Sequence, residues 1–471
     1  MSSEKPNLVV VVSDTLRAGD LGCYGSAHVQ TPNMDAFAAT ATRFTRAFPE
    51  SLPTIPVRRA LHTGRRAYPF RDYRPVPWDI VYLPGWQAMD NHEDTVAENL
   101  AAAGYHTGFV TDTLPYFAPG FNFQRGFYQW VYVRGQQQDR WQSPYAVPKE
   151  RLARYNGEEA FAKDPHSLVP MHLANTAHVR SEEDTSTARV FKWATKFLED
   201  NEAGQPFYLL IDCFDPHEPW DAPADYYSLY GDPDYAGRCI VHCGYAPADQ
   251  LGYTAEEIAF VRAQYCGLVT LFDAWFGKFM ARLTDLGYAK NTAVLLISDH
   301  GTNFCDNPRN VIGKPEYALY PGVMCLPLLA RLPKQDTGSV SDALVYNIDV
   351  MATLYDLAGM GSEQGIDGQS LTPLISGTGD WTRREYVTCR YGHSLCYIDD
   401  EAWVLTNTDG EQREAFDLAT DPACQHPLHD AQSTAALEKA WERLCEDAGG
   451  EFPDYRDRSR TDAIGQKPHK G

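Results

Sequence analysis

The stretch Asn7-Leu-Val-Val-Val-Val-Ser13-Asp14 decides the fold, because it is an apolar run of strand length that ends in an acid. Three similar runs rich in β-branched and apolar residues follow at residues 107–110, 207–211 and 293–297. Helical patterns lie between them at residues 95–103, 185–198 and 254–286. Strands that are apolar on both faces and alternate with helices predict an α/β fold, with a mostly parallel sheet between layers of helices.

Acidic residues stand where these predicted strands end, which is the edge at which open parallel sheets bind ligands. They are Asp14, Asp112, Asp212, Asp215 and Asp299, the last of which is followed by His300-Gly301. The carboxylates of Asp14 and Asp299 and the imidazole of His300 suit a divalent cation. An acid after a strand is also a common helix cap, so for Asp14 alone the sequence leaves both interpretations open.

Composition narrows the classes of protein to which the chain can belong. It has 471 residues, a formal net charge of −22 and 44% apolar residues. No run of Lys or Arg indicates a nucleic-acid-binding surface, and no apolar run is long enough to span a membrane. The run at residues 8–12 is too short for the core of a signal peptide, and the eleven cysteines, an odd number, favour reduced thiols. We therefore expect a cytoplasmic protein.

The pattern of predicted elements changes near residues 377–380. Residues 386–404 and 415–417 read as short antiparallel strands, and residues 434–444 as a closing helix. We therefore predict a catalytic domain at residues 1–378, a small α+β subdomain at 379–460 and a polar tail at 461–471.

The segment Ser51-Leu-Pro-Thr54-Ile-Pro-Val-Arg58-Arg59-Ala-Leu-His-Thr63-Gly64-Arg65 suggests chemistry. A hydroxyl four residues before an arginine, at the start of a helix, presents a nucleophile and a guanidinium on one face. The helix N-terminus adds a positive field for an anion. The same residues also form an ordinary helix start, with Thr54 as cap and Pro56 in the first turn. His62 is interpreted as a packed or edge residue of this helix.

The order of the motifs resembles the sulfatase family of the alkaline phosphatase superfamily over nearly the whole chain. Members of that family carry C/S-x-P-x-R and then T-G-R, where this chain has Thr54-Ile-Pro56-Val-Arg58 and Thr63-Gly64-Arg65. Further family motifs follow in order: Asp14, Gly19-Asp-Leu-Gly-Cys-Tyr-Gly25, Thr31-Pro-Asn-Met-Asp35, Asp215-Pro-His217-Glu-Pro219, Ser298-Asp-His-Gly301, Gly313-Lys314, Asp349-Val-Met-Ala-Thr-Leu-Tyr-Asp-Leu-Ala-Gly359, Asp367-Gly-Gln-Ser-Leu-Thr-Pro-Leu374 and Phe416-Asp-Leu-Ala-Thr-Asp-Pro422.

The resemblance implies an alkaline phosphatase-like fold and a role for each matching position. Asp14, Asp299 and His300 match metal ligands, and Thr54 matches the nucleophile, which also touches the metal. Arg58 matches the residue that orients the nucleophile and offsets charge. His217 and Lys314 match groups that contact the substrate anion or its leaving oxygen. The implied cofactor is one divalent metal ion, with Mn²⁺ or Ca²⁺ expected.

Three departures from the family pattern bear on the reaction. Sulfatases convert Cys or Ser to formylglycine, but Thr54 carries a methyl group on Cβ, so no formylglycine is expected. Ser51 begins the tripeptide Ser-x-Pro just upstream of Thr54, but Ile55 stands where the family motif would then require Arg. The tandem acid of the family is Asp14-Thr15 here.

The third departure replaces the family's Gly-Lys-Trp-His by Thr111-Asp-Thr-Leu114, which leaves Thr111 and Thr113 as candidate substrate-binding hydroxyls. Together these departures resemble phosphonate monoester hydrolases and phosphodiesterases of the superfamily.

The sequence therefore predicts a metal-dependent hydrolase of phosphodiesters or phosphonate monoesters, with Thr54 as covalent nucleophile. Two alternatives stay open: a sulfatase that acts without formylglycine, and a catalytically silent binding homologue. The expected partner is a small anionic ester as substrate, with a homo-oligomer left open and with neither nucleic acid nor membrane.

Overall fold

The computed structural model describes residues 5–74, 81, 83–155, 157–361, 365–429 and 431–456, and every structural statement below refers to these residues. The predicted polar tail at 461–471 and the last four residues of the predicted C-terminal subdomain lie outside them.

The chain forms seventeen strands and fourteen α-helices within the described residues. The strands are β1 Asn7–Ser13, β2 Thr42–Phe48, β3 Ser51–Leu52, β4 His106–Thr111, β5 Gln129–Tyr132, β6 Phe207–Cys213, β7 Ala246–Pro247, β8 Thr292–Ser298, β9 Asn303–Phe304, β10 Val311–Gly313, β11 Leu326–Arg331, β12 Ser339–Ser341, β13 Val345–Tyr346, β14 Val387–Tyr391, β15 Ser394–Ile398, β16 Ala402–Asn407 and β17 Glu414–Asp417. The helices are α1 Pro32–Ala38, α2 Thr54–Thr63, α3 Val96–Ala102, α4 Lys149–Arg154, α5 Gly157–Lys163, α6 Leu168–Asn175, α7 Ser186–Asp200, α8 Ala224–Tyr227, α9 Ala248–Leu251, α10 Ala255–Asp285, α11 Pro321–Met324, α12 Asp349–Leu357, α13 Thr372–Ser376 and α14 Ala431–Asp447.

A nine-stranded sheet organises the molecule, in the order β12-β2-β11-β8-β1-β6-β4-β5, with β13 paired to β2. Its pairs are parallel except the two made by β11, which runs antiparallel to β2 and β8. Helices cover both faces, and the sheet separates two apolar cores, one containing α2 residues and the other α7 and α10 residues. The predicted α/β fold with a mostly parallel sheet is confirmed.

Side-chain alternation decides which strand-end acids can meet. Val12 and Leu210 belong to the core on the α2 side, whereas Val110 and Cys213 belong to the core on the opposite side. Because successive residues of a strand point to opposite faces, Asp212 lies on the α2 side and Asp112 on the other. The residue after Ser13 and the residue after Ser298 leave neighbouring strands at the same level, since those serines are partners in the β1–β8 register.

A second sheet has the order β17-β16-β15-β14-β3. Its strands β14 to β17 are the antiparallel strands predicted for the C-terminal subdomain, and α14 packs on them. The fifth strand, β3, comes from residues just before α2 and pairs in parallel with β14. The two sheets also share a core, because Trp403 and Phe416 belong to the same cluster as Val10.

Two sequence expectations concern covalent and membrane features. All eleven cysteines lie within the described residues and carry free thiols. None of the described helices combines the length and the apolar character needed to span a membrane.

Candidate active site

Helix α2 places three chemically useful side chains on one face, because Thr54, Arg58 and His62 are four residues apart. All ten residues of α2 are buried. Thr54 is the first helical residue and not its cap, since the N-cap position is Pro53. The helix ends at Gly64, whose φ of 68° is the left-handed conformation that glycine adopts without strain.

Asp14, Asp299 and His300 converge at the carboxyl ends of β1 and β8, as the sequence predicted. Each offers a ligand atom, and the three atoms lie within 4.8 Å of one another. The backbone N–H of Thr15 donates to Asp299 Oδ1 at 3.0 Å, which fixes one carboxylate oxygen. The Thr15 hydroxyl donates to Asp14 Oδ1 at 2.8 Å.

The chemistry of this cluster fits a divalent cation. Asp14 Oδ2 is buried and accepts no hydrogen bond from the described residues, although it forms an ion pair with Arg58 Nη2 at 3.1 Å. Burial and the neighbouring charge of Asp299 raise the pKa of Asp14 well above its usual value. A cation held by Asp14, Asp299 and His300 would give that oxygen a ligand bond and offset the repulsion between the two carboxylates.

His300 is oriented for the ligand role by its own backbone neighbour. Its Nδ1 lies 3.0 Å from the carbonyl oxygen of Gly301, which can only accept, so Nδ1 carries the proton. The lone pair on Nε2 then faces the hydroxyl Oγ1 of Thr54 at 3.4 Å. Burial lowers the pKa of His300 to about 4, which keeps the ring neutral.

Arg58 lies among three buried carboxylates. Its Nε and Nη2 donate to the two oxygens of Asp212 at 3.0 and 2.8 Å, while Nη2 lies 3.1 Å from Asp14 Oδ2 and Nη1 donates to Asp299. The bidentate contact with Asp212 is the most directional of these. Arg58 is thus held by Asp212, which is not itself a candidate metal ligand.

Asp212 is itself fixed by two hydroxyl groups. Tyr116 donates to its Oδ2 at 2.5 Å and Thr113 to its Oδ1 at 3.0 Å. His62 lies 3.3 Å from the Tyr116 hydroxyl and is surrounded by aromatic rings, so it is the packed residue that the sequence analysis expected.

Lys314 and His217 both contact Glu218. Lys314 Nζ lies 2.9 Å from both carboxylate oxygens of Glu218 and 3.3 Å from the Thr15 hydroxyl. Burial alone would lower the pKa of Lys314, but the charges of Glu218 and Asp14 raise it above its usual value. Burial lowers the pKa of His217 to about 3, and its Nδ1 lies 2.5 Å from the Glu218 carbonyl oxygen. Lys314 is therefore charged and His217 neutral at neutral pH.

Three further candidate hydroxyls, on Thr111, Thr113 and Ser51, have hydrogen-bond partners other than Thr54. Thr111 and Thr113 are fully buried; Thr111 accepts from the backbone N–H of Thr113, and Thr113 donates to Asp212. Their role in substrate binding stays a prediction, and their observed contacts serve Arg58. Ser51 donates to Glu50, which also accepts from the backbone N–H groups of residues 67 and 68, so Ser51 does not replace Thr54.

The sequence analysis named Asp212 as a strand-end acid but gave it no role, and it overlooked Glu218. Glu218 stands directly after His217 in a quoted motif, so its position was available. Asp212 lies on the same face of the sheet as Asp14 and Asp299, but this can be recognised only from the register of the three strands.

Comparisons with known proteins show the family to which the chain belongs. Residues 6–360 match the sulfatase family, and residues 317–448 match the family described as N-sulphoglucosamine sulphohydrolase, C-terminal. The chain is similar to an arylsulfatase of Clostridium perfringens, with 26% identity over 459 residues and 89% of each chain covered. It is also similar to arylsulfatase A of Homo sapiens, with 27% identity over 460 residues, covering 92% of this chain and 80% of the human protein.

Among solved structures, the phosphonate monoester hydrolase of Agrobacterium radiobacter superposes with a TM-score of 0.71 at 19% identity, over 96% of this chain and 97% of that one. This likeness shows the alkaline phosphatase-like fold. Because the family match covers residues 6–360, which is most of the chain, the chain belongs to the sulfatase family of ester hydrolases.

Proposed function

We propose that the chain hydrolyses phosphodiesters and phosphonate monoesters, with the unmodified Thr54 hydroxyl as covalent nucleophile. The observation that carries the proposal is the Thr54 hydroxyl, whose oxygen lies 3.4 Å from Nε2 of His300, a member of the Asp14–Asp299–His300 cluster. A divalent cation bound by these three residues would supply a Lewis acid that lowers the pKa of the hydroxyl and polarises the ester.

The balance of charge supports an ester with a single negative charge. Four buried carboxylates line the site, on Asp14, Asp212, Glu218 and Asp299, against the two cations Arg58 and Lys314. One divalent cation would bring the site close to neutrality. A monoanionic ester then meets less repulsion than a dianionic phosphate monoester does.

The chain's own residues supply the remaining steps. Thr54 attacks phosphorus as the bond from phosphorus to the leaving oxygen breaks, and the alcohol departs with one proton, which balances the proton that Thr54 loses. Water then cleaves the ester on Thr54 and restores its hydroxyl. Arg58 offsets charge on the transferring group from a position fixed by Asp212. The charged ammonium of Lys314 stabilises the leaving oxygen. Neutral His217 donates from Nδ1 to the Glu218 carbonyl, so its Nε2 can accept a hydrogen bond from the leaving alcohol once that oxygen is protonated.

Sulfate esters are a second candidate substrate, because they too carry one charge and because arylsulfatases are among the relatives. Turnover of four p-nitrophenyl compounds separates the candidates: phosphate monoester, phosphodiester, phosphonate and sulfate. We expect the phosphodiester and phosphonate to be cleaved fastest. Preferred sulfate turnover would replace the proposal, and no turnover with metal present would favour the silent homologue.

Substitutions of Thr54 test the nucleophile. Thr54→Ala should lower turnover by at least ~10³-fold, because only water is then left to attack. Thr54→Ser should keep substantial activity, since the hydroxyl survives. Intact-mass measurement should show the peptide containing Thr54 unmodified. Near-full turnover by Thr54→Ala would place the nucleophile elsewhere.

A further inference from the structure

Lys314 is the cation that stabilises the leaving oxygen in the proposed reaction, and its surroundings decide where its N–H groups point. Its side chain is 4% exposed, and its Nζ carries three donors. In the described part of the chain Nζ has three acceptors, which are both carboxylate oxygens of Glu218, each at 2.9 Å, and the Thr15 hydroxyl oxygen at 3.3 Å. Every donor of the ammonium therefore has a defined direction.

Glu218 lies on a loop that is held by an internal hydrogen bond. Trp220, whose side chain is fully buried, donates from Nε1 to the Pro216 carbonyl oxygen at 2.8 Å and so spans the residue between them. The Glu218 side chain is fully buried as well, and among the described residues Lys314 is the lysine or arginine with which it pairs. Glu218 therefore fixes two of the three donors of Lys314 from a loop that is itself fixed.

The third donor of Lys314 points toward two members of the candidate metal cluster. The Thr15 hydroxyl that accepts it also donates to Asp14 Oδ1 at 2.8 Å and lies 3.5 Å from His300 Nδ1. The φ of Thr15 is 66°, a left-handed conformation that is rare for a β-branched residue and is found mostly at functional sites. The contact with Thr15 is the longest of the three, so an oxygen of the substrate can replace it while both contacts with Glu218 remain.

We propose that Glu218 is a positioning residue, which holds two donors of Lys314 and thereby aims the third at the leaving oxygen, and that this favours esters of weakly acidic alcohols. The inference rests on the proposed function. Negative charge develops on the leaving oxygen as its bond to phosphorus breaks, and a fixed ammonium stabilises that charge mainly in the transition state. Because a more basic leaving oxygen depends more on this stabilisation, Glu218 should matter most for alcohols that are weak acids.

The test compares two esters of one phosphonate, with p-nitrophenol and with phenol as the leaving group. Phenol is the weaker acid, so its oxygen needs more stabilisation. Glu218→Gln keeps the shape of the side chain but removes the charge that fixes Lys314. We expect it to lower kcat by ~100-fold for the phenyl ester and by roughly tenfold for the p-nitrophenyl ester, with little change in KM. Equal losses for the two esters, or no loss for either, would overturn the proposal.

Combination with Lys314→Gln shows whether Glu218 acts through the lysine. If it does, adding Glu218→Gln to Lys314→Gln should lower kcat by less than about twofold, because the group that Glu218 positions is already gone. Losses that multiply would place the effect of Glu218 elsewhere and contradict the proposal. Thermal midpoints show whether each variant folds. If Glu218→Gln leaves Lys314 uncompensated and does not fold, Glu218→Asp takes its place, since it keeps the charge, withdraws it by one methylene and should show the same dependence on the leaving group.

Glu50→Gln is the matched control. Glu50 is also fully buried, but it accepts from Ser51 and from the backbone N–H groups of residues 67 and 68. The ratio of kcat for the two esters should equal that of the wild type in this variant. A ratio that changes as much as in Glu218→Gln would show a general effect of buried carboxylates and end the proposal. Failure of the proposed function would look different, since the wild type would then cleave neither ester, or Thr54→Ala would keep full turnover.

Discussion

Asp212 is the residue on which the geometry of the candidate site depends most directly. It accepts two hydrogen bonds from Arg58 and one each from Tyr116 and Thr113, all with buried side chains. The guanidinium of Arg58 is therefore held in one orientation. This orientation does not depend on whether Asp14 and Asp299 also bind a cation.

We expect Asp212→Asn to lower kcat by about 100-fold with little change in KM, because small misplacements of a group that acts in the transition state have effects of this size. The matched control is His62→Phe, which keeps the aromatic packing and touches Asp212 only through Tyr116. Steady-state kinetics measure kcat and KM for both variants. A kcat for Asp212→Asn within twofold of the wild type would contradict the orienting role of Asp212.

Asp112 makes a separate contribution to the pH dependence of stability. Burial, and then the charge of Asp215, raise its pKa from 3.8 to about 8 in the folded chain. The folded state therefore keeps this proton at a pH where the unfolded chain has lost it. The stabilisation is complete below the unfolded pKa and is lost as the pH rises toward about 8.

Asp112→Asn removes this titration. The free energy of unfolding of the variant, relative to that of the wild type, should therefore increase as the pH rises from about 4 to about 8. Thermal midpoints of the two proteins across this range measure the difference. A constant difference would show that Asp112 ionises normally.

Much of the site could be predicted at this scale. Asp14, Asp299 and His300 follow predicted strands, and their convergence is confirmed by the structure. The orienting role of Asp212 could not be predicted, because Asp112 and Asp212 look alike in the sequence. Only the pairing of β4 with β6 shows that they lie on opposite faces of the sheet.

At the scale of elements, long periodic segments were predicted well. The strand predicted at residues 8–12 and the helix predicted at 254–286 coincide with β1 and α10 within a few residues. Thr254 and Glu257 form the capping box that marks the start of α10, a local signal. The two-residue strand β3 has no such signal, since its partner lies more than 300 residues away.

Helix α2 depends on the glycine that ends it. A Cβ at Gly64 would lie 2.6 Å from Ile366 Cγ2, and the φ of Gly64 is 68°. Gly64→Ala should therefore lower the free energy of unfolding by the strain of a positive φ, roughly 1–2 kcal/mol, and by a similar amount for overpacking.

The matched control is Gly104→Ala, which follows α3 with a φ of 92° and has open space around the position of Cβ. It should show the strain without the overpacking. Denaturant unfolding of both variants compares them, and an equal loss would rule out the contact with Ile366.

At the scale of the whole molecule, the C-terminal strands are part of the main core. Trp403 packs its ring 5.9 Å from that of Phe48 and donates to the Leu319 carbonyl at 3.0 Å. Arg390 is fully buried and donates to the carbonyl oxygens of Pro69, Gly392 and Pro453. The contacts with Phe48, Leu319 and Pro69 join the predicted subdomain to the predicted catalytic domain.

We therefore expect the full chain to unfold in one calorimetric transition, because the two predicted domains share apolar contacts. A chain that ends at residue 378 should fail to fold stably, since it would expose the cluster that Trp403 and Phe416 cover. Two separate transitions, or a stable and active truncated chain, would contradict this.

The pairing of β3 with β14 also has a consequence for the order in which the protein matures on the ribosome. Ser51 and Leu52 pair with Arg390 and Tyr391, and Thr54 follows two residues after Leu52. While the nascent chain is shorter than this, the segment that leads into Thr54 has no strand beside it. Ribosomal synthesis therefore makes Thr54 more than 300 residues before β14, so the strand that precedes helix α2 can reach its native pairing only after β14 has been made.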